Sequence, residues 1–511
     1  MDNKGYVLAL YDFRSKQEYI YRTNKIREIS GASMLLTDIY KDFASEAGIL
    51  YDLNINTPFE IDSFEARSAG YVGEVVYDGG GNLMVLYKNK DAYINANHKL
   101  SELVRKILFT ANVIASYVKY NGNFAKDRRD LYNANALKKN TGNVTIPYSV
   151  FPFTQVDRET FMPITNKDTQ NKESHTTESE LKQSKFEEIY KKEKANNSQK
   201  SELYLDDITT EKGRESLLAI IYIDGNAMGE RLKKATSDEN GNELTGYDES
   251  IKALREFSKD TNRDFVDNTI SAIEKFLQNW QSEDPEKKHM GKYRRVIAGG
   301  DEITIICNAR LAKDIVLRYF DTLDSENSGN YACAGIALFH SHAPFADIYE
   351  IAEQCCEIGK KASRSVEGSK VNYIDFHFCR SAVTNDAETI REQQEKDYTQ
   401  RPYELSNFKK FCEFAEKISD IGRSNIKELA NSRIRGTSYY KFDVERVCAH
   451  YKPSDKTLSK EEENNKRREI YELLHCDNAD KLIFDIAQVY DLWFAKDTEF
   501  TNSEKKEDTV E

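Results

Sequence analysis

Two glycine-rich segments, YDGGGNLMVLY at 77–87 and IAGGDEITIIC at 297–307, align without a gap and constrain the fold more than any other feature of the chain. Each is an apolar run, a glycine pair and a second apolar run, the pattern of two strands joined by a tight turn. The alignment places Gly79 and Gly80 on Gly299 and Gly300, and Gly81 and Asn82 on Asp301 and Glu302. Each hairpin is preceded by an apolar strand reaching an aspartate, GYVLALYDF with Asp12 and SLLAIIYID with Asp224. An internal duplication follows, in which only the second copy carries carboxylates at the hairpin tip.

The segment 216–380 reads as strand, helix, hairpin, helix, strand, helix, strand. SLLAIIYID is a buried strand, 251–280 carries helical periodicity, YACAGIALF and VNYIDFHF are strands, and PFADIYEIAEQCCEIGKKAS is a helix. This is an α+β plan with helices covering a sheet. The N-terminal part follows a related order. After Val383 apolar residues recur at three and four, as in a helical domain. The expected limits are 1–160 for the first sheet domain and 216–382 for the second. A helical domain at 383–498 and a disordered tail at 499–511 complete the chain.

Residues 161–215 are polar and charged, with one helix expected near Phe186 to Lys194, and read as a flexible linker or insertion. A formal charge of -13 gives no whole-chain basic footprint for nucleic acid. Eight cysteines never form C-x-x-C, so neither a zinc site nor a disulfide framework is indicated. No apolar run reaches the roughly 18 residues of a membrane span, and the N-terminus lacks a secretory pattern; a cytoplasmic protein without a membrane partner is expected.

Asp224 at a strand end and Asp301 opening the next hairpin strand are hard oxygen donors of the kind magnesium or manganese takes, with water and phosphate completing the shell. Alternation points Glu302 to the opposite face, which favours Asp301 as the ligand. Gly299 and Gly300 leave no side chain in the way of a nucleotide. Such a site supports in-line attack of a ribose hydroxyl on an α-phosphate. Lys360 and Lys361 supply positive charge for a triphosphate, or else favourable charge at a helix C-terminus. A plain acidic turn is the simpler reading of GGDE taken alone.

In order, SKQEYIYRTNKIREISGASMLL, YDGGGNLMVLY, IYIDGNAMGERLK, IAGGDEITII and CAGIALFHSHAPFADIYEIAEQCCEIGKKA resemble the two palm domains of the large polymerase-like subunit of type III CRISPR effector complexes, of Cmr or Csm type. The later segment IGRSNIKELANSRIRG is similar to that subunit's helical C-terminal domain. The resemblance implies two ferredoxin-like, GGDEF-related palms plus an all-α domain. It implies a nucleotidyltransferase that converts ATP to a cyclic oligoadenylate or related adenylate messenger in antiviral defence. Other effector subunits, CRISPR RNA and activating target RNA would be its partners.

Carried onto this chain, Asp224, Asp301 and Glu302 would be catalytic metal ligands. Gly225, Asn226, Gly299, Gly300, Lys360 and Lys361 would face the nucleotide. Gly79, Gly80, Gly81 and Asn82 would form the pocket of a non-catalytic first palm. The sequence departs from the family in three places: no His-Asp nuclease motif precedes the first palm, no cysteine zinc motif lies between the palms, and the tip reads GGDE rather than GGDD. DNA cleavage by the nuclease route is not expected. Two other readings stand beside the enzyme: a catalytically silent palm pair that scaffolds or senses nucleotide in a ribonucleoprotein, and a diguanylate cyclase.

Overall fold

A computed structural model describes residues 5–141, 146–168, 173–195, 208–209, 216–283, 291–324, 329–366, 370–379, 386–453 and 457–495. The expected disordered tail lies outside these residues, as do 169–172, 196–207 and 210–215 of the expected linker. The first half runs β1 (Val7–Arg14), α1 (Lys16–Ile20), α2 (Ile26–Ala47), β2 (Ile49–Leu50), α3 (Phe64–Arg67), β3 (Gly73–Gly79), β4 (Asn82–Tyr87), α4 (Lys90–Ile107), β5 (Asn112–Lys119) and α5 (Phe124–Thr141). There follow β6 (Ile164–Asp168), β7 (Glu173–Thr176) and α6 (Thr177–Ala195). The second half runs β8 (Leu217–Gly225), α7 (Met228–Ala235), α8 (Tyr247–Asn262), α9 (Asn268–Glu283), β9 (Tyr293–Gly299), β10 (Glu302–Asn308), α10 (Ala312–Asp324), β11 (Ala332–His340), α11 (Phe345–Arg364) and β12 (Tyr373–Phe378). The C-terminal part is α12 (Ala387–Thr389), β13 (Tyr403–Glu404), α13 (Leu405–Ile418), α14 (Arg423–Arg435), α15 (Thr437–His450), α16 (Lys460–Leu474) and α17 (Ala479–Trp493).

The chain divides into two compact units whose bounds differ from the limits suggested by the sequence. One comprises Met1–Leu203, Ala227–Asn268 and Arg295–Ile303; the other Tyr204–Asn226, Thr269–Arg294 and Thr304–Glu511. In the first, a five-stranded sheet has the order β2-β3-β4-β1-β5. Its central strand β1 is buried from Val7 to Phe13, which is why it reads as an unbroken apolar run. Antiparallel register sets Asp12 opposite Asn82 on β4 and opposite Ile114 on β5.

Helix α8 packs on this first sheet, although the sequence reading assigns it to the second. Tyr247, Ile251 and Leu254, one stripe of α8, share a core with Leu8, Leu10, Val76, Met84 and Leu86. The β3–β4 register slips between Val75 and Tyr77, and a bulge of this kind disrupts the ladder locally. Arg255 of α8 uses the slip: its Nε donates to the Val76 carbonyl at 3.0 Å and its Nη2 to the Val75 carbonyl at 2.8 Å.

Much of the expected linker is ordered. β6 and β7 form an antiparallel hairpin and α6 lies against α2. The charges of α6 are paired within the protein. Buried Lys182 donates to the Tyr19 carbonyl at 2.7 Å and to Glu178 at 2.6 Å, and Ser179 donates to buried Glu28 at 2.6 Å. Composition alone suggests solvation because it does not reveal such partners. The helices approach closely at Gly31, where an added Cβ would lie 1.9 Å from the Lys182 carbonyl oxygen.

The six-stranded sheet has the order β13-β12-β11-β8-β10-β9. β8 is antiparallel to β11, with Asp224 opposite Cys333 and Gly225 opposite Ala332, and β12 is parallel to β11. Gly335 admits α11, since a Cβ there would meet the Ala352 carbonyl at 1.9 Å. The helical part is not separate from this sheet. β13 extends it, and buried Asp485 of α17 accepts from Thr399 Oγ1 at 2.6 Å, Arg401 Nε at 3.0 Å and Tyr403 hydroxyl at 2.6 Å.

The strand orders β3-β4-β1-β5 and β9-β10-β8-β11 correspond term by term. In both halves the strand bearing the terminal aspartate lies between the second hairpin strand and the next strand in sequence. The turn residues Gly80-Gly81 and Gly300-Asp301 occupy the same position between their strands, as the gap-free alignment requires. Gly31→Ala is expected to lower the urea unfolding free energy by about 1–3 kcal/mol through overpacking against α6. In an isolated helix the same change would add roughly 1 kcal/mol, so the sign of the effect tests the packing.

Candidate functional site

Asp224 is the penultimate residue of β8, and β8 and β10 are neighbours in their sheet. Lys360 of α11 donates to Asp224 Oδ2 at 2.5 Å. Burial disfavours the Lys360 ammonium, but the charge and hydrogen bond of Asp224 outweigh it and raise its pKa above the ordinary lysine value. Lys361 does not share this role. Successive helix residues point about 100° apart, and Lys361 pairs with Glu388 of α12. The two lysines that the sequence sets side by side are thus separated, one at the strand end and one at the surface.

Asn226 also serves the fold directly. It is buried, its backbone N–H donates to the Tyr331 carbonyl at 2.7 Å, and its amide donates to Ser363 Oγ at 3.2 Å and the Val371 carbonyl at 3.0 Å. These bonds fix the chain just beyond β8 and so hold Gly225 and Asp224 in register. At the hairpin tip Gly299 and Gly300 have open space where a Cβ would stand, and Gly300 has φ +66°. The turn therefore uses the freedom of glycine at Gly300 and leaves room above both residues.

The adjacent carboxylates each lie in the field of a cation. The charge of Asp301 acts on Arg231 of α7, whose pKa burial lowers while Asp264 and Asp301 oppose that shift. The charge of Glu302 acts on Lys16. Among the described residues no group of three or more His, Cys, Asp or Glu is arranged to hold a metal ion, so Asp224, Asp301 and Glu302 do not form a closed ligand cage. Their donor chemistry still suits magnesium, which commonly takes one or two carboxylates and keeps water and phosphate as its other ligands.

The first half has a counterpart to the Asp224–Lys360 pair that the sequence reading missed. Lys139 of α5 contacts Asp12 Oδ2, as Lys360 of α11 contacts Asp224. Each lysine is the sixteenth residue of the helix that follows the last of the four matched strands, β5 in the first half and β11 in the second. Asn135 of α5 donates to Asp12 Oδ2 at 3.3 Å, and Asn82 with its amide nitrogen toward Asp12 stands 3.2 Å from both carboxylate oxygens. Lys16 completes the cluster, donating to the Gly80 carbonyl at 3.1 Å and lying 3.7 Å from Asp12 Oδ1. The first-half residues Gly79 to Asn82 thus border an ion cluster. The signal in the sequence was a lysine at one fixed helix position in both copies.

Three crystal structures share this architecture. A Csm1-Csm4 cassette in complex with cA3 superposes with TM-score 0.50 at 13% identity over 95% of this chain and 70% of that one. The cassette in complex with AMPPNP gives TM-score 0.50 at 13% identity with the same coverage. Csm1 in T. onnurineus gives TM-score 0.50 at 13% identity, again over 95% and 70%. The fold is that of Csm1. No family model and no curated protein matches the sequence, so the Csm1 likeness is carried by backbone architecture. No helix among the described residues is long and apolar enough to cross a membrane.

Lys360 and Lys361 differ in burial as well as in partner, with side chains 12% and 53% exposed. Lys360→Met should reduce unfolding free energy by about 1–2 kcal/mol because half-buried Asp224 loses a charged donor. Lys361→Met should change it by no more than about 0.5 kcal/mol, as exposed pairs do. Urea denaturation of the two variants checks the contrast.

Proposed function

We propose that the chain is a magnesium- or manganese-dependent nucleotidyltransferase that converts ATP to a cyclic oligoadenylate or related adenylate messenger, as a subunit of a type III CRISPR effector complex in the cytoplasm. The observation that carries the reading is the duplicated strand-and-hairpin in which only the second copy ends in carboxylates. The Csm1 fold supports it, since proteins of that fold have been crystallised in complex with AMPPNP and cA3.

Asp224 and Asp301 would hold the metal, and Glu302 would be a further carboxylate at the tip. The bound ion would supply charge stabilisation for the attacking and leaving oxygens of an in-line displacement. The protein's own part is binding and orientation. A Cβ built at Gly299 or Gly300 would meet no heavy atom within 4 Å, so these turn residues would let a nucleotide approach the backbone. Lys360 holds the Asp224 carboxylate in place through its 2.5 Å contact and offers its ammonium to an incoming phosphate. A ribose 3′- or 2′-hydroxyl of one ATP would attack the α-phosphorus of another, forming a P–O bond as the bond to the pyrophosphate breaks and the hydroxyl proton passes to solvent. The first half, with Asn82 where the second has Glu302, would supply no metal ligand.

Target RNA bound to the complex would switch the activity on. The silent reading, a palm pair that scaffolds or senses nucleotide, is favoured by the charge compensation of Asp224 by Lys360. A diguanylate cyclase would use GTP in place of ATP. Purified chain with magnesium and labelled ATP, alone and in complex with CRISPR and target RNA, separates the three. Pyrophosphate release with ATP, reduced at least about a hundredfold in Asp301→Ala and Asp224→Ala, is expected. Undiminished product from Asp301→Ala would remove the assignment, tight ATP binding without pyrophosphate release would support the silent form, and turnover confined to GTP would support the cyclase.

A further inference from the structure

The two strand ends differ by a reciprocal exchange. In the second half the turn carries Asp301, and the fourth residue after the strand-end aspartate is Met228. In the first half the turn carries Gly81, and the fourth residue after Asp12 is Lys16. The exchange has a steric cause, because a Cβ at residue 81 would lie 1.9 Å from Lys16 Nζ. The ammonium fills the space in which a side chain matching Asp301 would begin. The half with the carboxylate lacks the lysine, and the half with the lysine lacks the carboxylate.

The Asp12 carboxylate and the Gly80 carbonyl, which accepts from Lys16 at 3.1 Å, are hard oxygen donors of the type divalent cations take, while the amides of Asn82 and Asn135 turn their nitrogens to Asp12. Two ammonium groups occupy this shell, Lys139 on Asp12 Oδ2 and Lys16 between Asp12 Oδ1 and the turn. One lysine would balance Asp12 alone. Together the two ammonium groups carry the charge of a divalent ion. At Asp224 the corresponding helix lysine is present, whereas the second ammonium is replaced by Met228.

We propose that Lys16 and Lys139 are resident cations that take, at the first strand end, the place a divalent ion takes at the second. The first half is then charge-compensated without metal, and each chain carries a single metal-dependent centre. This rests on the reading of Asp224 and Asp301 as metal ligands. The architecture of the first hairpin is also independent of metal supply, since its counter-charge is covalently part of the chain.

Counting manganese bound to the full-length chain, by electron paramagnetic resonance of the free ion, tests this. Lys16→Ala/Lys139→Ala should bind one more manganese per chain than wild type. The extra ion should persist in an Asp224→Asn/Asp301→Asn background and vanish on adding Asp12→Asn. A folded Lys16→Ala/Lys139→Ala chain with the wild-type count would overturn the proposal. If that variant does not fold, Lys16→Met keeps the apolar stem, and manganese should raise its melting temperature more than that of wild type; an equal rise would overturn the proposal. An unchanged count in Asp224→Asn/Asp301→Asn would instead strike the ligand reading of the second half, which the lysine variants measure separately.

Discussion

A carboxylate at the end of a buried strand requires a cation, because an unpaired charge in that setting is far costlier than any packing it displaces. The chain meets this requirement twice in the same way, with Lys139 on Asp12 and Lys360 on Asp224. Each pair ties an interior strand of a sheet, β1 or β8, to the helix that follows β5 or β11. The helix must arrive with its sixteenth residue over the strand end, which fixes its register and its distance from the sheet. In the second half that approach also needs Gly335, where a Cβ would collide with the Ala352 carbonyl. The register of each helix over its strand is tied to satisfying these aspartates.

The same demand for partners explains where polar segments went. α6 reads as solvated, yet Lys182, Glu178 and Glu28 are buried with one another and with Tyr19 and Ser179. Asp485 is fully buried and accepts from three side chains that precede α13 in sequence. Charge in a sequence is therefore a guide to solvent only where its counter-charge lies elsewhere. Some partners are local, as Lys182 is to Glu178, whereas Arg22 for Glu178 and Arg401 for Asp485 are distant in sequence and close in space.

What could be read from residues alone was anything with local periodicity. The apolar run of β1, the two glycine hairpins and the helix at 345–364 were legible because a strand or helix writes its pattern within a few residues. The duplication was legible too, since gap-free alignment of 77–87 with 297–307 survives as matched turns between matched strands. The assignment of α8 was not. Its apolar stripe fits any sheet face, and what directs it to the first is Arg255 meeting two carbonyls at a bulge. The distinct fates of Lys360 and Lys361 were hidden for a like reason, because adjacency in sequence on a helix means divergence in space.

The sequence by itself determined the elements, their repeated order, the asymmetry of the hairpin tips and the chemical class of donor at each. These are properties of short segments, set by backbone propensity and by the spacing of apolar side chains. Only the tertiary structure decided which charges neutralise which. It put Lys139 on Asp12 and Lys360 on Asp224, turned Asn226 inward to hold the chain beyond β8, and brought Lys16 into the space above Gly81. Ion pairing depends on separations of a few ångströms between residues far apart along the chain, and such distances exist only once the sheets have closed.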